Sequence, residues 1–253
     1  MFLEMEELME EHSFLLVELF NKLFGKIVLA IYSVFGIKSV NPEHPIPAHV
    51  VFAIIIAFII AVFLWLIAKK PKIIPTPVQS FAETLYTMFE GIIIDIIGED
   101  GKRYLPMIGT IGFFIFFCNV AGLFPGFESP TANLNVTAGT AVFVFLYYNF
   151  VGVREIGIKK YLRHLAGPYL WLAPLMFPIE VISHFSRPLS LSVRLFGNIM
   201  GEDMVILILA SLIPYIVPLP MMALAIFTSF VQAMVFTMLA IVYLSGAVAS
   251  EEH

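Results

Sequence analysis

Long runs of apolar residues dominate this chain, and short charged clusters separate them. Residues 50–68 read VVFAIIIAFIIAVFLWLIA and contain no charged side chain. A run of this length matches what an α-helix needs to cross the hydrocarbon core of a bilayer. The pattern predicts an all-α polytopic membrane protein, in which residues 1–48 are an external segment and 49–253 form one membrane domain. The predicted membrane helices are 49–69, 104–125, 137–154, 168–213 and 217–250, and the last two are too long for a single upright span.

A sixth helix is predicted at 79–98, and its pattern is different. Apolar residues recur there at helical spacing, while Glu83, Thr87 and Glu90 share another face. Such a segment is typical of an amphipathic helix that lies along a membrane surface or packs against a neighbouring helix.

Basic residues predict the orientation of the spans. Lys and Arg cluster after the first span as KKPK at 69–72, at Lys102 and Arg103, and again at 154–163. Clusters of this kind mark the cytoplasmic side of a membrane. We therefore expect an external N-terminus and a cytoplasmic C-terminus. Glu128 and Asp95 are expected to be solvated charges.

Composition narrows the class further. The chain is 60% hydrophobic and 13% charged, against about 25% charged residues in ordinary soluble domains. No basic patch is large enough to follow a phosphate backbone, so we expect no nucleic-acid partner. The acidic N-terminus lacks the positive start of a signal peptide. The one cysteine, Cys118, lies in an apolar run and is expected to be a buried small hydrophobe.

One membrane helix carries many polar residues. The residues at spacings of 4, 3, 4, 3, 4 and 4 fall on one face of a helix, with a single leucine among them. These are Glu180, His184, Arg187, Leu191, Arg194, Asn198 and Glu202. Ser183, Ser186 and Ser190 flank this polar stripe. Pro188 lies in its middle and removes one backbone hydrogen bond, which predicts either a local kink or a water site, or a packing kink without a role.

A charge near the bilayer centre costs roughly 2.5–3.5 kcal/mol on insertion scales, so these groups must face protein, water or one another. Ionisable groups aligned along a membrane helix are typical of a proton path, because carboxylates and imidazole exchange protons near neutral pH. Arginine does not release its proton, so it acts as a fixed positive charge. The alternative is that the groups pair internally and only hold helices together.

The last helix offers Thr228, Ser229 and Gln232 at positions i, i+1 and i+4. Gln232 is the most polar group in the uncharged stretch from 204 to 250. It is a candidate hydrogen-bond partner for the charged helix, although ordinary packing between helices would use it equally well.

At this point the motifs resemble a known family. RPLSLSVRLFGNIMGED and SFVQAMVFTMLAIVYLSGAVASEEH are similar to segments of subunit a of the F-type ATP synthases of bacteria and chloroplasts. RYLPMIGTIGFFIFFCNVAGLFPG and PTANLNVTAGTAVFVF resemble the same family. The resemblance is clear over about residues 100–253 and looser in the first helix.

The resemblance implies a proton-translocating subunit of the membrane Fo sector, inserted in a bacterial inner membrane. It implies two aqueous half-channels that deliver protons to, and remove them from, the carboxylates of a rotating c-subunit ring. It also implies contact with b-type peripheral stalk subunits, with the F1 sector through the stalk, and with the lipid bilayer. The last two helices would be long and tilted along the ring.

Residue roles follow from the same resemblance. The essential arginine of the family falls on Arg194 of RLFGN and would separate the half-channels. The other implied proton-path positions are Glu180, Asn198, Asp203 with its neighbour Glu202, and Gln232. One departure stands out, because ALAIFTSFVQ lacks the histidine that some relatives place before this glutamine. His184 is the candidate for a similar wet position, and Ser190 lies beside the path. For Glu128 and Asp95, the alternative to solvated charges is that they gather protons or contact other subunits.

Two other classes compete. A secondary transporter usually has broken helices and pseudo-symmetric halves, and no internal repeat is found. An intramembrane enzyme is disfavoured, because HExxH, GxSxG and P-loop motifs are absent. We therefore expect no catalytic residue, metal or cofactor in this chain, with ATP chemistry confined to partner chains. Neither the transported ion, H⁺ or Na⁺, nor the ring size follows from the sequence.

Overall fold

The computed structural model describes residues 2–34, 45–69, 76–124, 127–158, 160–161, 173–213 and 216–248. Seven long helices and two short 3₁₀ turns occupy most of these ranges, and no strand occurs among them. The helices are α1 (Phe2–Val34), α2 (Ala48–Lys69), α3 (Pro77–Ile97), α4 (Leu105–Ala121), α5 (Leu134–Ile156), α6 (Ala173–Leu212) and α7 (Pro218–Val248). The turns are Glu99–Tyr104, just before α4, and Pro130–Ala132, just before α5.

The predicted fold class is confirmed. Five helices in the described ranges are long and apolar enough to cross a membrane, namely α2, α4 with its preceding turn, α5, α6 and α7. Their side chains are apolar on most sides, as expected for helices that face lipid. Residues 125, 168–172 and 249–250 of the predicted spans lie outside the described residues.

Helix α3 has the amphipathic character that its pattern predicts. Phe89 and Ile93 are buried against the bundle, while Glu83 is exposed. The helix begins after Thr76, whose Oγ1 accepts a hydrogen bond from the backbone N–H of Gln79 at 3.4 Å. It ends at Gly98, whose φ of 99° is a conformation that glycine adopts without strain.

The core of the bundle lies between α4, α5, α6 and α7, and α3 packs against one side of it. Ile115, Val144, Leu195 and Ile241, one from each of the four helices, are almost completely buried there. Helix α6 lies beside both α5 and α7. This placement brings its polar residues against side chains of these two neighbours.

Helix α1 was not predicted, because its charged residues leave no uncharged run long enough to cross a membrane. Asn21 fastens it to the chain before α2. The Asn21 side chain donates from Nδ2 to the carbonyl of Ile46 at 3.0 Å and accepts the Ile46 N–H at 2.9 Å. The external location of this segment stays a prediction.

The predictions for three single residues, Cys118, Glu128 and Asp95, agree with their burial in the structure. Cys118 is completely buried, as its apolar surroundings predict. Glu128 and Asp95 are exposed, as expected for solvated charges.

Candidate functional site

Helix α6 is 40 residues long, continues through Pro178 and Pro188, and carries the polar stripe from Glu180 to Glu202. The polar residues do not share one environment, because the N-terminal part of the stripe contacts α5 and its C-terminal part contacts α7. It divides into an N-terminal cluster, a C-terminal cluster and an isolated arginine between them.

The N-terminal cluster is built by α6 and α5. Glu180 and Arg187 form an ion pair, with Oε1 and Nη2 separated by 3.6 Å. His184 Nε2 lies 2.7 Å from Asn149 Oδ1, and the Tyr161 hydroxyl donates to the same oxygen at 2.7 Å. All five side chains therefore form one polar group at this end of the stripe.

Aromatic rings close this cluster on the side of the bundle. The His184 ring meets the rings of Phe145 and Tyr148 edge-on, with centroids 5.1 and 5.4 Å apart. The guanidinium carbon of Arg187 lies 5.4 Å from the ring centroid of Tyr243 on α7, a distance at which a cation is attracted to an aromatic face.

The C-terminal cluster is built by α6 and α7. Asn198 Nδ2 donates to Gln232 Oε1 at 3.0 Å, and Gln232 is buried. Thr228 Oγ1 lies 2.7 and 2.9 Å from the two carboxylate oxygens of Glu202. Asp203 follows Glu202 in the chain and is half-buried beside it. The predicted hydrogen bond between Gln232 and the charged helix is thus confirmed.

Arg194 lies between the clusters and points away from the bundle. Its side chain is exposed, whereas the next residue, Leu195, is completely buried. Consecutive residues lie about 100° apart around a helix, so one faces outward when the other packs in the core. Within the described part of the chain, no ion pair or hydrogen bond engages the Arg194 guanidinium.

The surface around Arg194 is lined by small residues. Ser190 and Gly197 are exposed on either side of it, and Gly201 follows one turn later. A Cβ atom added to Gly197 or Gly201 would meet nothing within 4 Å. This small-residue face, which also includes Ser183 and Ser186, leaves room for another backbone to approach.

Sequence reasoning identified the residues on α6 and α7 but missed one on α5 and one just beyond its end. Asn149 and Tyr161 complete the N-terminal cluster, and neither was predicted. The available signal was Asn149 itself, an amide in the otherwise apolar and aromatic run VFVFLYYNFV. Ser190, by contrast, was predicted, and its side chain lies on the exposed face.

These features define a class: a polytopic helical membrane protein that carries ionisable side chains along one long transmembrane helix. Residues 50–245 match the family model described as ATP synthase A chain. The chain is 45% identical to "ATP synthase subunit a" of Nitratiruptor sp. over 227 residues, which are 88% of this chain and 98% of that protein.

Two further relatives carry the same description. The subunit a of Geobacter sulfurreducens is 49% identical over 189 residues, 74% of this chain and 82% of that protein. The subunit a of Helicobacter pylori strain Shi470 is 42% identical over 223 residues, 88% of this chain and 97% of that protein. The chain belongs to the ATP synthase subunit a family, and it is a multi-pass membrane protein.

Proposed function

We propose that this chain is the proton-conducting stator subunit of an ATP synthase Fo sector. Protons enter one aqueous half-channel, are carried on carboxylates of a rotating c-subunit ring, and leave through the other half-channel. Arg194 separates the two. The observation that carries the proposal is the exposed guanidinium of Arg194, unpaired among the described residues and set between two polar clusters.

An exposed cation on a lipid-facing surface calls for a partner of opposite charge. A charged side chain inside the membrane is energetically costly unless it lies next to a group of opposite charge. A carboxylate 4 Å away gains about 4 kcal/mol at an effective dielectric constant of 20. Since one pKa unit corresponds to about 1.4 kcal/mol, Arg194 lowers the pKa of an arriving ring carboxylate by up to about three units, less the cost of desolvation. This is sufficient to release its proton.

The small-residue face supports a helix as the carrier of that carboxylate. Serine and glycine side chains let helix backbones approach closely in a membrane. Gly197 and Gly201 are open on this face, so a passing helix meets no bulky side chain at these two positions. The partner is therefore the c-ring, and the long helices α6 and α7 lie tilted along it.

The two clusters mark the half-channels. Arg187 and Arg194 lie about 10 Å apart along the axis of α6, and Glu202 lies about 12 Å beyond Arg194. Basic residues predict that the N-terminal cluster is nearer the cytoplasm. Glu180 and His184 then line the cytoplasmic half-channel. Asn198, Gln232, Glu202 and Asp203 line the external one.

The remaining assignments follow from this role. The chain binds the b-type subunits of the peripheral stalk and, through them, the F1 sector, where ATP is made. It requires no cofactor and is not itself the catalyst. It lies in a bacterial inner membrane with its N-terminus outside and its C-terminus in the cytoplasm.

The test is ATP synthesis by the whole complex in liposomes under an imposed proton gradient, with proton flux followed in parallel. Arg194→Ala is compared with wild type and with Arg187→Ala. Arg187 is the matched control, because it is an arginine on the same helix that already has a partner in Glu180. We expect Arg194→Ala to assemble and lose coupled synthesis, and Arg187→Ala to slow it only in part.

Two further variants test the half-channels. Glu180→Gln and Asp203→Asn should slow conduction without abolishing it, because water partly replaces a relay group. A normal rate of synthesis by an assembled Arg194→Ala complex would contradict the proposed function. The stripe would then hold helices together, and the ion path would run elsewhere.

A further inference from the structure

Asn149 is held by hydrogen bonds at both ends of its amide. Its Nδ2 donates to the backbone carbonyl of Phe145 at 2.6 Å. Its Oδ1 accepts the hydroxyl hydrogen of Tyr161 at 2.7 Å and lies 2.7 Å from Nε2 of His184. The Phe145 carbonyl determines the orientation of the amide, because exchanging its nitrogen and oxygen would place the amide oxygen 2.6 Å from this carbonyl oxygen with no hydrogen between them.

This orientation decides where His184 carries its hydrogen. A carbonyl oxygen only accepts hydrogen bonds, so the Nε2 that faces Asn149 Oδ1 must bear a hydrogen. In the neutral imidazole the other nitrogen, Nδ1, then carries a lone pair. Among the described residues, no hydrogen bond engages His184 Nδ1.

We infer that Asn149 is a positioning residue that holds His184 in the Nε2–H tautomer, so that Nδ1 is the atom that takes up and releases protons in the half-channel of the N-terminal cluster. The inference deepens the proposed function and rests on it. It adds Asn149 on α5, which is outside the polar stripe, to the residues of the proton path. It also states which nitrogen of His184 exchanges protons.

The surroundings of His184 support this assignment. The groups that face it are Glu180 and Arg187 on α6, Tyr148 on α5 and Tyr161 beyond the end of α5, while Tyr243 on α7 holds Arg187 from the other side. Burial raises the pKa of Tyr161 above its usual value, so the Tyr161 hydroxyl keeps its hydrogen and remains a donor to Asn149.

A neutral amide suits a relay better than a carboxylate. A carboxylate within hydrogen-bond reach of a histidine stabilises the imidazolium and retains its proton. Asn149 fixes the ring orientation without adding charge, so His184 still loses its proton to water. The same reasoning explains how Asn149→Asp serves as a sensitive test.

The experiment measures ATP synthesis by the intact complex in liposomes at constant proton-motive force, while the pH on the F1 side is varied. The rates of each variant are divided by its own maximal rate, and the midpoint of its pH profile is compared with that of the wild type. In Asn149→Asp, we expect the midpoint of the pH profile to move up by about one unit. In the His184→Gln background, the same substitution should leave the profile unchanged.

Asn149→Leu provides a second variant without added charge. It removes the acceptor, so its rate should fall to that of His184→Gln, and the double variant should be no slower. Asn135→Asp is the matched control, because Asn135 lies at the other end of the same helix, about 21 Å away along the axis. This control should not move the midpoint.

The outcomes separate the two proposals. A shift in Asn149→Asp that disappears with His184→Gln supports the positioning role. An unmoved midpoint, or a shift that persists without His184, overturns it while the Arg194→Ala result leaves the proposed function intact. Normal synthesis by Arg194→Ala overturns both.

Discussion

Thr228 on α7 lies with its hydroxyl oxygen 2.7 Å from Oε1 and 2.9 Å from Oε2 of Glu202 on α6. The single hydroxyl hydrogen is thus shared among the two carboxylate oxygens and the backbone carbonyl of Ala225, which lies 3.1 Å away. The contact belongs to the C-terminal cluster and joins the two longest membrane helices of the described chain. It holds the Glu202 carboxylate in place while leaving it half exposed.

This contact predicts a difference between two substitutions. Thr228→Val has nearly the same shape but no hydroxyl, so Glu202 loses its donor, whereas Thr228→Ser retains it. A loss of about 1 kcal/mol corresponds to roughly five-fold in rate. We expect ATP-driven proton pumping by the assembled complex to fall several-fold in Thr228→Val and to stay near wild type in Thr228→Ser. Equal rates in the two variants would show that the hydroxyl has no part in conduction.

The bond from Asn198 to Gln232 predicts coupling between two helices. Gln232→Leu leaves the Asn198 amide without its acceptor, and Asn198→Leu leaves Gln232 without its donor. Hydrogen bonds between membrane helices contribute about 0.6 kcal/mol on average. Thermal stability of the complex should therefore fall in each single variant, and the double variant should lose less than the sum.

Additive losses in this cycle would contradict a direct interaction between Asn198 and Gln232. Proton pumping is measured on the same samples. We expect pumping to decrease in every variant that lacks Gln232, including the double variant. Two leucines pack against each other in the double variant, but they provide no polar groups for a proton path.

The sequence predicts the five spans because each contains a long apolar run, and it predicts the polar stripe because helical spacing determines relative angles on one helix. It does not say which neighbour occupies which side. The outward direction of Arg194 and the contact of His184 with Asn149 depend on how α6 leans against α5, so they required the structure. Gln232 was predictable because it is an isolated amide in an uncharged helix.

The packing of α4 against α7 gives a prediction about the fold itself. A Cβ atom at Gly112 would lie 2.9 Å from Thr237 Cγ2 and 3.2 Å from the Phe89 ring. Overpacking of this kind costs about 1–3 kcal/mol. Gly112→Leu should therefore lower the yield and thermal stability of the complex. Gly109→Leu, on the same helix with open space at its Cβ, is the matched control and should assemble normally. Similar losses in both variants would mean that α4 tolerates no added side chain, whatever its packing.

The small-residue face beside Arg194 predicts that a large side chain at position 201 impairs function without impairing folding. Gly201 has nothing of this chain within 4 Å of an added Cβ atom, so a larger side chain does not disturb the described bundle. Alanine is also a better helix former than glycine, by about 1 kcal/mol. We expect Gly201→Ala to synthesise ATP at close to the wild-type rate. Gly201→Leu should be far slower, because under the proposed function its side chain projects into the space through which a ring helix passes.

The measurement is ATP synthesis in liposomes, with recovery of the whole complex as the check on assembly. The c-subunit content of the purified Gly201→Leu complex separates two causes of a low rate, since loss of the ring indicates failed binding and a retained ring indicates blocked rotation. Either cause places a partner helix on this face. A Gly201→Leu complex that retained its ring and synthesised ATP at the rate of Gly201→Ala would show that the ring does not approach α6 at Gly201, and the position of the ring relative to Arg194 would have to be revised.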